Sequence, residues 1–148
     1  MRKAFYSAFL KEDAWLLYGD VGYGIVSTDH ARCVNVGIAE QTMVAMAAGM
    51  AECGARVYTY CIGPMIYRAW EQVRNLVAGT QRDVTLVVVG VGDDYAAIGK
   101  THCVSRRELS ISCYTLGLPY YCPDSLEDLE DAMSSYGPKL IHLRKGGV

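Results

Sequence analysis

The sequence predicts an α/β fold: a three-layer sandwich with a mostly parallel central sheet and helices on both faces. Three observations carry it. Short apolar runs alternate with longer segments whose apolar residues recur every three or four positions. One run, Val84 to Val89, is almost purely β-branched, which suits a strand buried on both faces. The chain has 148 residues, 51% hydrophobic and 20% charged, which is enough for one core, and no linker or repeat divides it.

The elements follow in order. Lys3 to Asp13 reads as a helix with Phe5, Ala8 and Phe9 on one face. Trp15 to Tyr18 is a strand that stops at Gly19-Asp20-Val21-Gly22, and Cys33 to Val36 is a second. From Ala39 to Cys53 the period becomes helical through Met43, Met46, Ala47 and Met50, and Gly54 ends it. This methionine stripe is read as core packing or part of a subunit interface. Arg56 to Tyr60 is a strand. Ile66, Ala69, Trp70, Val73 and Val77 mark a helix ended by Gly79, and strand Val84–Val89 follows. A glycine-broken loop runs from Gly90 to Thr101, then a helix lies between Ser105 and Tyr114. Tyr120 to Cys122 is a strand. Asp124 is expected to cap a helix with Glu127 as its capping-box acid and Leu126, Leu129 and Met133 inside. Leu140 to Leu143 is the last strand.

Composition excludes several classes of function. The formal charge of -2 offers no basic surplus for nucleic acid or anionic lipid. No run of about 18 apolar residues suggests a membrane span, and the N-terminal apolar stretch is too short for a signal peptide. The six cysteines form no C-x-x-C pair and read as buried, reduced thiols of a cytoplasmic protein. In parallel sheets, ligands sit outside the carboxyl ends of the strands. Here that means the loops Gly19–Gly24, Gly37–Glu40, Ile62–Met65 and Gly90–His102. The strongest local signal among them is Asn35-Val36-Gly37-Ile38-Ala39-Glu40-Gln41: a strand ends, a glycine turns the chain, and a glutamate opens an apolar helix whose dipole favours its anion.

That stretch, continued by Thr42-Met43-Val44, resembles the pyrimidine-binding (Pyr) domain of transketolases. So do Arg2-Lys3-Ala4-Phe5, Gly19-Asp20-Val21-Gly22-Tyr23, Ala47-Ala48-Gly49-Met50-Ala51, Arg68-Ala69-Trp70-Glu71-Gln72-Val73-Arg74-Asn75, Gly99-Lys100-Thr101-His102, Cys122-Pro123-Asp124 and Leu143-Arg144. They run in family order over nearly the whole chain, and 1-deoxyxylulose-5-phosphate synthases share the same module. The resemblance implies thiamine diphosphate as cofactor and transfer of a two-carbon ketol unit from a ketose or ketose phosphate to an aldehyde.

It also implies roles. Glu40 matches the acid that bonds a ring nitrogen of the cofactor's aminopyrimidine and favours its imino tautomer, which takes the thiazolium proton. Such an acid is poorly solvated, which implies an elevated pKa. Asp20, Ile38 and Arg68 match cofactor-side positions. The family's stacking aromatic has no phenylalanine counterpart between Tyr58 and Tyr67; Met65 or Ile62 offers an apolar platform, or Tyr60 or Tyr67 rotates in. His102 matches the histidine that contacts sugar oxygens. Its loop departs from the pattern, with Lys100 for proline, Ile98 for an acid and Cys103 next to the histidine. Arg2 and Arg144 match positions that hold a substrate phosphate.

The resemblance further implies a missing half. A second module in this family holds magnesium (or calcium) and the diphosphate through Gly-Asp-Gly and a later asparagine. Gly19-Asp20-Val21 lacks the second glycine. Residues 1–148 are therefore expected to be a single Pyr domain, with no diphosphate-binding domain and no C-terminal transketolase domain. The expected partner is a separate diphosphate-binding chain in an α2β2 split enzyme, and the 11 tyrosines agree with an extensive interface. Two alternatives remain: another thiamine diphosphate carboligase, suggested by the altered His102 loop, and a non-catalytic regulatory remnant.

Overall fold

A computed structural model describes residues 1–27 and 29–144. In chain order the elements are α1 (Arg2–Phe9), β1 (Ala14–Tyr18), β2 (Cys33–Asn35), α2 (Glu40–Glu52) and β3 (Arg56–Ile62). A helical segment follows, made of a 3-10 stretch Gly63–Ala69, a single α-turn α3 (Trp70–Gln72) and a π stretch Val73–Ala78. Then come β4 (Val84–Val89), two 3-10 turns at Ala96–Ile98 and Lys100–His102, α4 (Arg106–Thr115), β5 (Tyr120–Tyr121), α5 (Leu126–Ser134) and β6 (Lys139–His142).

The strands form one sheet in the order β2-β1-β3-β4-β6-β5, and every neighbouring pair is parallel. Period-two alternation divides the core between the faces. Val57, Cys61, Val84, Leu86 and Val88 meet α2, the segment 63–78 and α4 on one side. Tyr58, Tyr60, Ile62, Val87 and Val89 meet α1 and α5 on the other, where Phe5 and Phe9 pack with Leu129, Ala132 and Met133. Neighbouring residues Tyr60 and Cys61 thus serve opposite layers. All six cysteines are free, with Cys33, Cys61 and Cys113 buried; Cys53 is exposed, and Cys103 and Cys122 are partly so. No helix among the described residues is long and apolar enough to cross a membrane.

Several local expectations shift. The opening helix ends at Phe9 rather than Asp13, because Lys11 and Glu12 donate to the Ala8 and Phe9 carbonyls in tighter turns, and Glu12 then accepts a hydrogen bond from Tyr58 Oη at 2.7 Å. Ser125, not Asp124, caps α5: its hydroxyl accepts from Asp128 N, and Asp128, not Glu127, completes the box by accepting from Ser125 N. Asp124 is instead paired with Arg144. Leu126 is 50% exposed, and Ala132 takes its expected place inside. Met43 is fully buried while Met46 is exposed, so the methionine stripe is only partly core. Of the closing residues Arg144–Val148, 145–148 lie outside the described residues.

Candidate functional site

The loops after β1, β2, β3 and β4 converge at the carboxyl ends of their strands. Gly37 has φ +70°, a left-handed turn that a side chain would strain. The Asn35 side chain holds this turn to the first loop: its Oδ1 accepts from Gly37 N at 2.9 Å and from Asp20 N at 3.3 Å. α2 then starts at Glu40 with Ala39 as a cap residue that supplies no side-chain acceptor. Gln41 Nε2 donates to the Arg68 carbonyl at 3.0 Å, tying the start of α2 to the segment after β3.

These turns enclose a cavity of about 280 Å³. Glu40, Asp20, Ile38, Met65, Arg68 and His102 all line it, with Cys61 and Ile62. Glu40 is only 7% exposed, and among the described residues its charged neighbour is Arg68, whose Nη1 lies 3.7 Å from Oε1. The Cys61 thiol beside it is pushed up to about 12 by burial and, second, by the Glu40 charge. Ile62 and Met65 are buried in the wall, whereas Ile38 is 73% exposed at the rim.

Neither tyrosine offered as a stacking group turns toward this cavity. Tyr60 lies in the opposite layer, with its ring centroid 6.1 Å from that of Phe5. Tyr67 is held by Ser112 Oγ at 2.9 Å and by the Trp70 ring. The apolar side chains in the cavity lining are those of Ile62 and Met65 in the wall, with Val21 and the rim residue Ile38.

His102 sits on the second 3-10 turn with Nδ1 3.0 Å from Thr101 Oγ1. Its loop is pinned at both ends. Gly92 N donates to the Val104 carbonyl at 2.7 Å, and a Cβ at Gly63 would stand 2.7 Å from Val91 and 3.0 Å from Val104. Of the departures noted in this loop, Ile98, 60% exposed, and Lys100 lie on the surface, whereas Cys103 is half-buried with its Sγ donating to the Gly99 carbonyl at 3.7 Å.

The two other arginines are not in this cavity. Arg2 lines a neighbouring one, also about 280 Å³, which shares Asp20 and Val21 with the first. Its guanidinium is paired with Asp94 at 3.2 Å. Arg144, paired with Asp124, lines neither. His142 is buried and bonded through Nδ1 to Tyr120 Oη at 3.0 Å. Among the described residues no group of three or more His, Cys, Asp or Glu is arranged to hold a metal ion.

Sequence reasoning assigned no role to Asn35, Cys61 or Asp94. An asparagine two residues before a turn glycine is a side-chain-turn signal that would have found Asn35. Cys61 follows from strand alternation once the face of Glu40 is known. The partner of Arg2 depends on how the loop after β4 folds, and no local signal announces it.

Comparison with known proteins places these features. The family model described as the transketolase pyrimidine binding domain matches residues 8–134. An apulose-4-phosphate transketolase subunit from Actinobacillus succinogenes is 42% identical over 117 residues, 76% of this chain and 37% of that protein. A putative transketolase C-terminal section of Methanocaldococcus jannaschii is 39% identical over 72 residues, 48% of this chain and 23% of its own length. The chain thus spans well under half of the curated relatives it matches. Among solved structures, a split gene transketolase in an inactive beta4 tetramer superposes with a TM-score of 0.77 at 22% identity, over 99% of this chain and 50% of that one, a likeness of fold.

Proposed function

Because this chain belongs to the transketolase pyrimidine-binding-domain family, we propose that its Glu40 cavity holds the aminopyrimidine end of thiamine diphosphate within a two-chain transketolase. The observation that carries this reading is Glu40 itself. A carboxylate 7% exposed, with a guanidinium 3.7 Å away as its charged neighbour among the described residues, keeps lone pairs free toward a cavity. Buried acids are ordinarily paired or hydrogen-bonded. A flat ring that accepts apolar contact on its face and a hydrogen bond at its edge fits what Met65, Ile62 and Glu40 present. The volume suits part of a cofactor rather than a whole one.

When bound, thiamine diphosphate supplies the nucleophilic carbon that carries a two-carbon ketol unit from a ketose or ketose phosphate to an aldehyde. The residues of this chain prepare it. Glu40 shares a proton with a ring nitrogen at a site shielded from water. Cys61, kept as a neutral thiol, adds no second negative charge beside it. Asn35 positions Asp20 and the Gly37 turn through its two accepted hydrogen bonds. His102, oriented by Thr101, faces the same cavity and is the group for the sugar's oxygens.

Gly19-Asp20-Val21 lacks the second glycine of the Gly-Asp-Gly motif, so we assign the metal and the diphosphate to a separate chain, in an α2β2 complex. The six free cysteines accord with a cytoplasmic setting. Co-purification with a chain carrying Gly-Asp-Gly and a later asparagine, and ketol transfer by the pair from D-xylulose or from its 5-phosphate, test this assignment.

In the assembled pair, Glu40→Gln should cut transfer by about 10²–10⁴-fold. It should also abolish the near-ultraviolet circular dichroism band of the imino tautomer. Unchanged activity would overturn the reading in favour of a regulatory remnant. The altered loop around His102 favours a second reading, a decarboxylating carboligase; carbon dioxide released from pyruvate by the same pair would identify it.

A further inference from the structure

The second cavity carries an inference that rests on the ketol-transfer reading and deepens it. Arg2 is the cation among its lining residues, and Asp94 already neutralises it at 3.2 Å, with both side chains largely removed from solvent. Asp20 is the carboxylate that lines the cavity itself, and its Oδ1 accepts from Tyr23 Oη at 3.1 Å. The remaining side-chain polar groups are the hydroxyls of Tyr60 and Tyr95. Tyr60 is 1% exposed, and burial pushes it up to about 12, with Arg2 opposing. Its phenol is therefore a protonated donor.

Asp20 on the wall and Asp94 paired with Arg2 from outside the lining set two carboxylates against one guanidinium, a balance that repels a phosphate dianion. Phenols and a carboxylate offer the mix of donors and acceptors that alcohol groups need. Asp20 and Val21 line both cavities, so the second lies directly beside the Glu40 cavity.

We propose that the second cavity receives a neutral, hydroxyl-bearing end of the sugar substrate and rejects a phosphorylated one, with Asp94 as the specificity-determining residue. Asp94 acts by occupying Arg2, so removing its charge frees the guanidinium for an anion.

The assembled pair is assayed with D-ribose against D-ribose 5-phosphate as acceptor, and with D-xylulose against its 5-phosphate as donor. Wild type should favour the unphosphorylated sugars in kcat/KM. Asp94→Asn should move the ratio toward the phosphorylated ones by at least about tenfold, since it releases one charge-assisted pair. Asp93→Asn, which keeps the Arg2 contact partner, should leave the ratio unchanged. A preference for phosphorylated sugars that Asp94→Asn does not alter would overturn the proposal.

A separate measurement does not need turnover. Inorganic phosphate is titrated into the full chain while the amide resonances of Gly22 and Tyr95 are followed. Saturable shifts should arise in Asp94→Asn and be absent in wild type. Saturable shifts in wild type, or none in either protein, would overturn the proposal. Absence of any ketol transfer would instead count against the reading in the preceding subsection.

Discussion

The two rims of the sheet treat buried charge in opposite ways. At the amino end of the strands, Arg56 Nε donates to Asp83 Oδ2 at 2.7 Å, and Arg56 also reaches Glu12 and the Met133 carbonyl. Tyr58 donates to Glu12. Lys139, 2% exposed, donates to the Ser135 carbonyl at 2.6 Å and the Gly137 carbonyl at 3.1 Å, with Asp83 3.7 Å away. At the carboxyl end, Glu40 is almost as deeply buried, yet it faces a cavity with Arg68 at 3.7 Å. A charge whose hydrogen-bonding capacity is filled by its own chain holds structure; one left with capacity toward a cavity is available for chemistry.

This contrast can be broken by exchanging outcomes. The largest effect is expected from Glu40→Gln: transfer in the assembled pair falls by about 10²–10⁴-fold, while denaturant unfolding of the chain moves by no more than about 1 kcal/mol. Loss of folding instead would make Glu40 another structural charge. Asp83→Ala should do the reverse. Removing the shared partner of Arg56 and Lys139 leaves the buried Lys139 without its ion-pair partner and costs about 3–5 kcal/mol, with turnover per folded complex unchanged. The pair Asp83→Asn and Lys139→Met should cost less together than the sum of the singles, because the first removes the partner that the second no longer needs.

The two ends of β6 sharpen the same contrast. Lys139 is buried among acceptors, and burial lowers its pKa while Asp83 opposes. His142, at the carboxyl end, has its pKa lowered from 6.5 to about 4, first by burial and then by the Arg106 charge. The unfolded chain therefore binds a proton that the folded chain refuses in this window. Stability present above about pH 6.5 should fall as pH drops toward 4. Urea midpoints at several pH values check this, and His142→Gln should flatten the slope. The smallest effect concerns helix starts. Ser125→Ala removes the α5 cap and should cost about 1 kcal/mol, whereas α2 has no side-chain cap to lose.

Much of this was legible in the sequence because its signals are local. The β-branched run Val84–Val89 is a strand with those limits, and Glu40 follows a glycine turn at the start of α2 as read. The segment 63–78 was legible as helical but not as 3-10 and π, since each buries Ile66, Ala69, Val73 and Val77 alike. The α5 cap was misplaced because Asp124 and Ser125 are both good caps; the choice depends on Arg144, which engages Asp124 from the end of the next strand. Six of the candidate site residues share one cavity because their loops all leave the same edge of a parallel sheet. That Arg2 would meet Asp94 was hidden, because 92 positions separate them.

Tyr60 and Cys61 stand side by side in β3 and line different cavities. Parity is therefore built into this strand. One residue inserted or deleted between Arg56 and the Tyr60–Cys61 pair would swap which chamber each of them enters. Two chambers would be damaged by a single event that leaves the hydrophobic content of the strand intact. Evolution is free to exchange side chains here, but the length of this stretch can drift only in steps of two.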